Sequence, residues 1–322
     1  MTDDLRALLC ERLGTRWVSG GRADRTAYAR DLWPRGLLQA AAGDPAPMPP
    51  DLVCWPADEG EVAAALDAAL QTGAAVVPYG AGSGVCGGTW PVAGGLVIDL
   101  KRLRDVSFDP RTQRVRAGAG WIGQPLEDHL AAQGRTLGHF PSSIRCSTLG
   151  GWVAARSAGQ LSSKYGKIED MVRSLRVVCP DGRRLALSVD DPGPDWVQVI
   201  VGSEGTLGIV TEAELVTHPA PAARDLQGWR MRDVNHGLDT MRRIMQAGLR
   251  PCVLRLYDEF DSVLALREHD HSGGARRGED AWKRRALAWA LERPRLINRA
   301  NDLLGGGCLL ITGFEGHPDL VR

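Results

Sequence analysis

Leu5, Leu8, Leu9 and Leu13 recur three to four residues apart, which predicts a short helix at the start of the chain. The stretch "AAAGDPAPMPPD" then breaks any period, and its Pro, Gly and Ala content predicts an exposed linker with a domain opening near Asp51. In "PADEGEVAAALDAALQTG" the helical period returns. Val62, Leu66 and Ala69 share a face, acidic residues fill the first turn, and Gly73 is placed to stop the helix. "AAVVPYG", "GGLVIDL" (94–100) and "TQRVRAGAG" (112–120) read as strands, and "GQPLEDHLAAQG" (123–134) as a helix closed by Gly134. Strand and helix thus alternate, as in α/β architectures. Two apolar runs flank Pro-Asp-Gly in "VRSLRVVCPDGRRLAL" (172–187), a hairpin signal, so the sheet structure is expected to be mixed rather than purely parallel.

After "THPAPAARD" (217–225) the texture changes to an amphipathic helix (Val234 to Ala247), a strand (Pro251 to Tyr257), a second helical stretch, a polar loop at 269–280 and a last apolar run, "GGCLLITGFEG". The division expected is an N-terminal helical segment and linker at 1–47, a first domain at 48–222 and a second at 223–322, whose strand so near the terminus suggests truncation. Length agrees, because 322 residues exceed what a single core of about 250–300 residues holds. Lys plus Arg and Asp plus Glu balance at 39 each, leaving no net field to gather nucleic acid or an anionic membrane surface. The seven cysteines are scattered without a C-x-x-C pair, which signals neither a disulfide framework nor a zinc site and suits a reducing compartment. "MTDDLRALLC" lacks an apolar targeting core, and no stretch approaches the ~20 apolar residues of a membrane span. A cytoplasmic protein without a metal is the expectation.

The candidate chemistry lies in "VVPYGAGSGVCGGTWP" (76–91), a strand running into a glycine-rich loop. Glycines let a backbone approach a ligand closely and turn successive N–H groups toward an anion. No Lys-Ser/Thr follows, which excludes a Walker loop. Gly82, Gly84 and Gly87 fit G-x-G-x-x-G but lead into another strand, whereas a dinucleotide fingerprint must open a helix. Gly118, Gly120 and Gly123 fit again and do precede a helix. Yet no Asp or Glu lies between Asp128 and Glu169 to bind a ribose. For either loop alone, a tight turn without a ligand remains open. Two further loops share the chemistry. "FPSSIRCSTLGGWVAARSAGQ" (140–160) sets five hydroxyl side chains around Gly150-Gly151, and "VGSEGTLGIVTEAEL" (201–215) adds three glycines before a strand. One large cofactor rich in acceptors, threaded between the three loops, accounts for all of them.

Together these segments resemble the vanillyl-alcohol oxidase / p-cresol methylhydroxylase (PCMH-type) superfamily, whose FAD-binding domain carries a glycine-rich pyrophosphate loop, a "TLGG" turn and a "GSEGTLGI" segment in this order. "HFPSSIRCSTLGGWVAARSAGQLSSKYGKIEDMV" is most similar to the alkylglycerone-phosphate synthase branch, and "LRLYD" (254–258) extends the similarity. The resemblance implies an α+β (mixed α/β) fold: a PCMH-type FAD-binding domain of two α/β subdomains, then a partial antiparallel-sheet cap. It implies FAD, held non-covalently because the glycine loop offers Cys86 but no histidine. Pro78, Tyr79, Gly80, Ala81, Gly82, Ser83 and Gly84 would wrap the pyrophosphate. Ser142, Ser143, Ile144, Arg145, Cys146, Ser147 and Thr148, with Ala155, Arg156, Ser157 and Ala158, would line the flavin. Glu204, Gly205, Thr206, Leu207, Gly208, Ile209 and Val210 would complete the cleft.

Arg255 corresponds to an arginine that faces the substrate's anionic group, as a guanidinium fork suits carboxylate or phosphate; a structural ion pair is its alternative. His139 is a candidate base or orienting group, with a hydrogen-bonded turn histidine as the alternative. Trp121, Trp152 and Tyr165 are expected to pack, and Lys164 and Arg156 either to neutralise phosphate or to be solvated. The activity implied is that of an FAD-linked oxidase or dehydrogenase moving a hydride from an alcohol or 2-hydroxy acid to flavin N5. A redox-neutral exchange of acyl for alkyl, as in the synthase branch, is the alternative, and a non-catalytic FAD-binding fragment is a third. The partners expected are a small anionic substrate and, by base rate, a second copy of the chain.

Overall fold

The computed structural model describes residues 2–258, 261–262 and 307–321. It divides into two units, Met1–Ala220 and Pro221–Arg322, so the first 47 residues belong to the first unit rather than standing apart. The polar loop and second helical stretch expected after Tyr257 lie outside the described residues.

The first unit opens with α1 (Thr2–Leu13), whose Leu5, Leu9 and Leu13 are buried at helical spacing. β1 (Val18–Ser19), α2 (Arg22–Ala27) and α3 (Pro34–Ala41) follow, ahead of the stretch that the sequence marks as a linker. Next come β2 (Leu52–Cys54) and α4 (Glu59–Thr72). Asp58 caps α4 by accepting the Glu61 N–H at 2.9 Å, Glu61 reaches back to the Ala57 N–H at 2.6 Å, and Gly73 ends it at φ +67. β3 (Val76–Tyr79) and β4 (Leu96–Asp99) complete a four-stranded sheet of order β1-β2-β4-β3, in which β4 runs parallel to both its neighbours. Every residue of β4 is buried, as both faces of a parallel sheet require cover. Here α1 and α4 cover one face, while Tyr28, Trp55 and Tyr79 gather against Val53 and Val97 in a separate cluster.

A second sheet contains β5 (Val106–Asp109), β6 (Arg114–Gly118), β8 (Val172–Val178), β9 (Arg184–Ser188) and β10 (Ile209–Val216) in the order β5-β6-β10-β8-β9. All its pairings are antiparallel, and the β8–β9 hairpin turns at Gly182 (φ +81) as Pro-Asp-Gly foretold. Its core is filled by α5 (Gly123–Ala131), α6 (Leu149–Ala154), α8 (Ile168–Met171) and α9 (Trp196–Ile200), with Leu126, Leu130, Trp152 and Val153 against Val115, Leu175 and Ala213. α7 (Ser162–Tyr165) and a two-stranded pairing of β7 (Arg135–Thr136) with β11 (His218–Pro219) lie beside it.

In the second unit β12 (Ala223–Met231), β13 (Val253–Tyr257) and β14 (Cys308–Gly316) form an antiparallel sheet of order β12-β14-β13. α10 (Val234–Gln246) contributes Met241 to the cluster formed by Met231, Cys308 and Leu310. Among the described residues no helix is long and apolar enough to cross a membrane, and all seven cysteines are free thiols.

Candidate cofactor site

The glycine loop leaves the carboxyl end of β3, the side of a parallel sheet where ligands bind. From Ala81 to Cys86 no backbone N–H donates to another described residue. Backbone donors are obligatory hydrogen-bonding groups, so a run of this length waits for acceptors supplied from outside the chain. Two glycines here are required by geometry. Gly82 sits at φ +64 with Tyr79 Oη 1.9 Å from where its Cβ would lie, and a Cβ on Gly80 would be 2.3 Å from Thr148 Oγ1.

Those contacts also show what the loop touches. Thr148 lies on the "TLGG" turn, where its hydroxyl accepts the Gly151 N–H at 3.2 Å and caps α6. A Cβ on Gly205 (φ +81) would fall 2.8 Å from Pro78 Cγ, and one on Gly88 would be 3.6 Å from Glu204 Oε2. The third segment is bonded to the second as well, through Glu204 N to Ala154 O at 3.0 Å and Gly202 N to Val153 O at 3.0 Å. The three segments named from the sequence are therefore brought together between the two sheets. Arg156 and Glu204, neither of them glycine, both adopt left-handed backbone at φ 50 and φ 51. Such strain concentrates at functional sites.

The glycine loop's near end is fixed by an ion pair between the buried Asp99 and a part-exposed Lys101, neither of them among the expected site residues. Asp99, at 0% exposure, accepts from the Tyr28 hydroxyl and from the Lys101 N–H and ammonium. Lys101 Nζ donates in turn to Gly80 O at 2.8 Å and sits 5.3 Å over the Tyr79 ring. Burial, with the negative charge of Asp99, pushes the Tyr79 hydroxyl up to about 12, so Tyr79 stays neutral. The signal for this pair was the acidic end of an otherwise apolar strand followed by lysine, "VIDLK".

The remaining predicted residues take varied places. Ser147 is buried, accepts the Trp152 indole N–H at 2.7 Å and donates to Ser143 O at 2.8 Å; Ser142 accepts from Gln160 at 3.1 Å. Cys86 and Cys146 are exposed thiols on the first and second segments. Arg156 is exposed, and its guanidinium donates to Val201 O and Gln198 O, each 2.8 Å from Nη2, so it staples the end of α6 to the third segment. His139 is fully buried, edge-on to the Trp152 ring at 4.7 Å, with Nε2 2.9 Å from Ser157 Oγ and Nδ1 without a partner. Burial lowers its pKa to about 4, leaving it neutral at physiological pH. A neighbouring buried acid, Glu127, accepts from Thr136 Oγ1 at 2.7 Å and from the Leu137 N–H at 3.0 Å, and burial raises its pKa to about 7. Trp121, Trp152 and Tyr165 pack against the second core as expected. Arg255, in the second unit, stands exposed on β13 in register with Ile311.

Free amides, hydroxyls and close-packed glycines fit an elongated anionic cofactor, and the comparisons with known proteins name it. A family model described as FAD binding domain matches residues 50–188. Residues 50–188 thus form an FAD-binding domain of the PCMH type, whose cofactor is FAD. The chain is 34% identical over 280 residues to the alkyldihydroxyacetonephosphate synthase of Dictyostelium discoideum, covering 84% of this chain and 44% of that protein. It is 29% identical over 278 residues to glycolate oxidase subunit GlcD of Bacillus subtilis (strain 168), covering 85% of this chain and 57% of that one. A solved alkyldihydroxyacetonephosphate synthase superposes with a TM-score of 0.81 at 30% identity, over 98% of this chain and 58% of the solved one. The chain thus spans less than half the length of the Dictyostelium relative.

Proposed function

We propose that this chain holds FAD non-covalently between its three convergent loops and serves an FAD-dependent oxidoreductase acting on a small anionic alcohol or 2-hydroxy acid. The observation that supports it is the run of unpaired amides from Ala81 to Cys86, set against Thr148 and the Gly205 segment. Amides of Ala81 to Gly84 would take the pyrophosphate, and hydroxyls of the 142–148 segment the ring system. Bound there, FAD supplies a two-electron acceptor for a C–H bond beside oxygen. Arg255, exposed on its strand, would hold the substrate's carboxylate or phosphate through its planar fork. His139 is too deeply buried to meet substrate in this arrangement. Its role in this reading is to orient Ser157 and the turn that bears it.

The first measurement is the visible absorption spectrum of the purified chain before and after acid precipitation. A flavin band that leaves with the supernatant is expected; a protein that stays colourless with added FAD removes the proposal. Identity to the synthases favours a second reading, a redox-neutral exchange of acyl for alkyl. Anaerobic addition of glycolate or D-lactate separates the two. Bleaching of the flavin band is expected for the oxidoreductase, whereas no bleaching, with fatty acid released from acyl-dihydroxyacetone phosphate in the presence of a fatty alcohol, selects the exchange.

A further inference from the structure

The family match starts at residue 50, yet the far end of the glycine loop is gripped by residues 31–33. Asp31 is 3% exposed and lies beneath the loop. Its Oδ1 accepts the Trp33 N–H at 3.0 Å and the Trp90 indole N–H at 2.9 Å, and its Oδ2 accepts the Gly87 N–H at 2.8 Å. Leu32 N donates to Gly84 O at 2.9 Å, and Tyr79 Oη donates to Arg30 O at 3.3 Å. The Trp33 and Trp90 rings, 5.1 Å apart, close over the same carboxylate.

We infer that Asp31 is a positioning residue for the cofactor: its carboxylate fixes the shape of the phosphate loop through Gly87 and Trp90, so that FAD affinity depends on a segment outside the recognised domain. The inference rests on the reading that this loop receives the pyrophosphate. A carboxylate so close to a phosphate site would ordinarily weaken anion binding. Here three N–H donors offset its charge, and what it contributes is order. A loop this rich in glycine loses more conformational freedom than any other on being fixed, and a loop fixed before the ligand arrives binds more tightly. Both carboxylate oxygens act as acceptors, and a carboxamide cannot reproduce that, since its NH₂ would face another N–H.

Asp31→Asn therefore tests the idea at nearly constant volume. FAD dissociation constants come from quenching of flavin fluorescence on titrating the full apo chain, well below its unfolding temperature, with Tm from circular dichroism alongside. The expected result is FAD binding weakened ~10-fold or more, the loss of a hydrogen bond to a charged group. The comparator is Val62→Ala, in the buried face of α4, which is expected to lower Tm while leaving FAD affinity within about twofold. Should Asp31→Asn not fold, Trp90→Phe removes one donor from the same carboxylate and is expected to weaken FAD several-fold. Binding as tight as wild type in either folded variant, or a loss of affinity that Val62→Ala matches, overturns the inference alone. A wild-type chain that takes up no FAD overturns the cofactor reading and this inference together.

Discussion

On the first sheet, the cofactor loop is held by charge and hydrogen bonds: Asp99 grips Lys101, Lys101 reaches Gly80 O, and Asp31 takes the Gly87 N–H. On the second sheet, the corresponding segments keep backbone bonds and the Arg156 staple, but what shapes their floor is fit. A Cβ on Gly150 would lie 2.7 Å from Ala119 Cβ, one on Gly208 would lie 2.7 Å from Val177 Cγ1, and Trp152, 2% exposed, fills the space beneath the turn. The difference follows from what each loop must leave free. A loop that offers its own amides to a ligand cannot spend them on a ladder, so side chains from distant positions have to anchor it. A turn that leads into a helix satisfies its backbone locally and needs only a shaped floor. The first anchorage should therefore fail when a hydrogen-bonding group is lost at constant size, and the second when volume changes.

The largest effect is expected from Trp152→Ala. Removing this buried ring should cost ~3–5 kcal/mol in urea unfolding, and Trp152→Phe much less even though it deletes the indole bond to Ser147. If Phe proved as damaging as Ala, hydrogen bonding and not fit would govern the second sheet.

The next effect concerns the two buried titratable groups near that turn. The pKa of His139 falls from 6.5 to about 4, so the unfolded chain takes a proton that the folded chain refuses; its contribution is present above pH 6.5 and lost as pH falls toward 4. The pKa of Glu127 rises from 4.5 to about 7, so its contribution is present below pH 4.5 and lost as pH rises toward 7. The two oppose each other where their windows overlap. The stability difference between wild type and His139→Gln should therefore grow by up to about 3 kcal/mol from pH 4 to 6.5. The corresponding difference for Glu127→Gln should shrink by a similar amount from pH 4.5 to 7. Denaturant midpoints across this range measure both, and differences that do not vary with pH would rule out the burial of either charge.

The smallest effect on stability is expected from Lys101→Met, since the ammonium is 31% exposed and Asp99 keeps the Tyr28 hydroxyl and a backbone N–H. About 1–2 kcal/mol is expected in chemical unfolding, with a disproportionate loss of FAD affinity because Gly80 O is released. Equal losses in the two measurements would make Lys101 a stability residue only.

What could be read from the chain was local. Asp58, Glu61 and Gly73 announce both ends of α4, Pro-Asp-Gly announces the hairpin, and the three cofactor segments carry their chemistry in short motifs. Gly118, Gly120 and Gly123 imitated a nucleotide fingerprint for a reason invisible in sequence: each is pressed against a neighbour, at 2.4 Å from Leu103 O, 2.2 Å from Leu100 O and 2.2 Å from the Trp152 ring, measured from an added Cβ. Asp31 could not be read either. It meets Gly87 across 56 positions, and "RDLWPRG" has neither period nor motif to reveal a brace. The same distance hides Arg156, whose carbonyl partners lie 42 and 45 residues on.

In the second unit, β14 is the middle strand of its sheet, yet it follows both of its neighbours in the chain. As the polypeptide leaves the ribosome, β12 and β13 emerge before β14, the strand that lies between them. About 50 residues separate Tyr257 from Cys308, several seconds of synthesis at ~5–20 residues per second. For that interval two unpaired strand edges are exposed to other nascent chains. Slower translation of this stretch should lower soluble yield without altering a single contact in the finished protein.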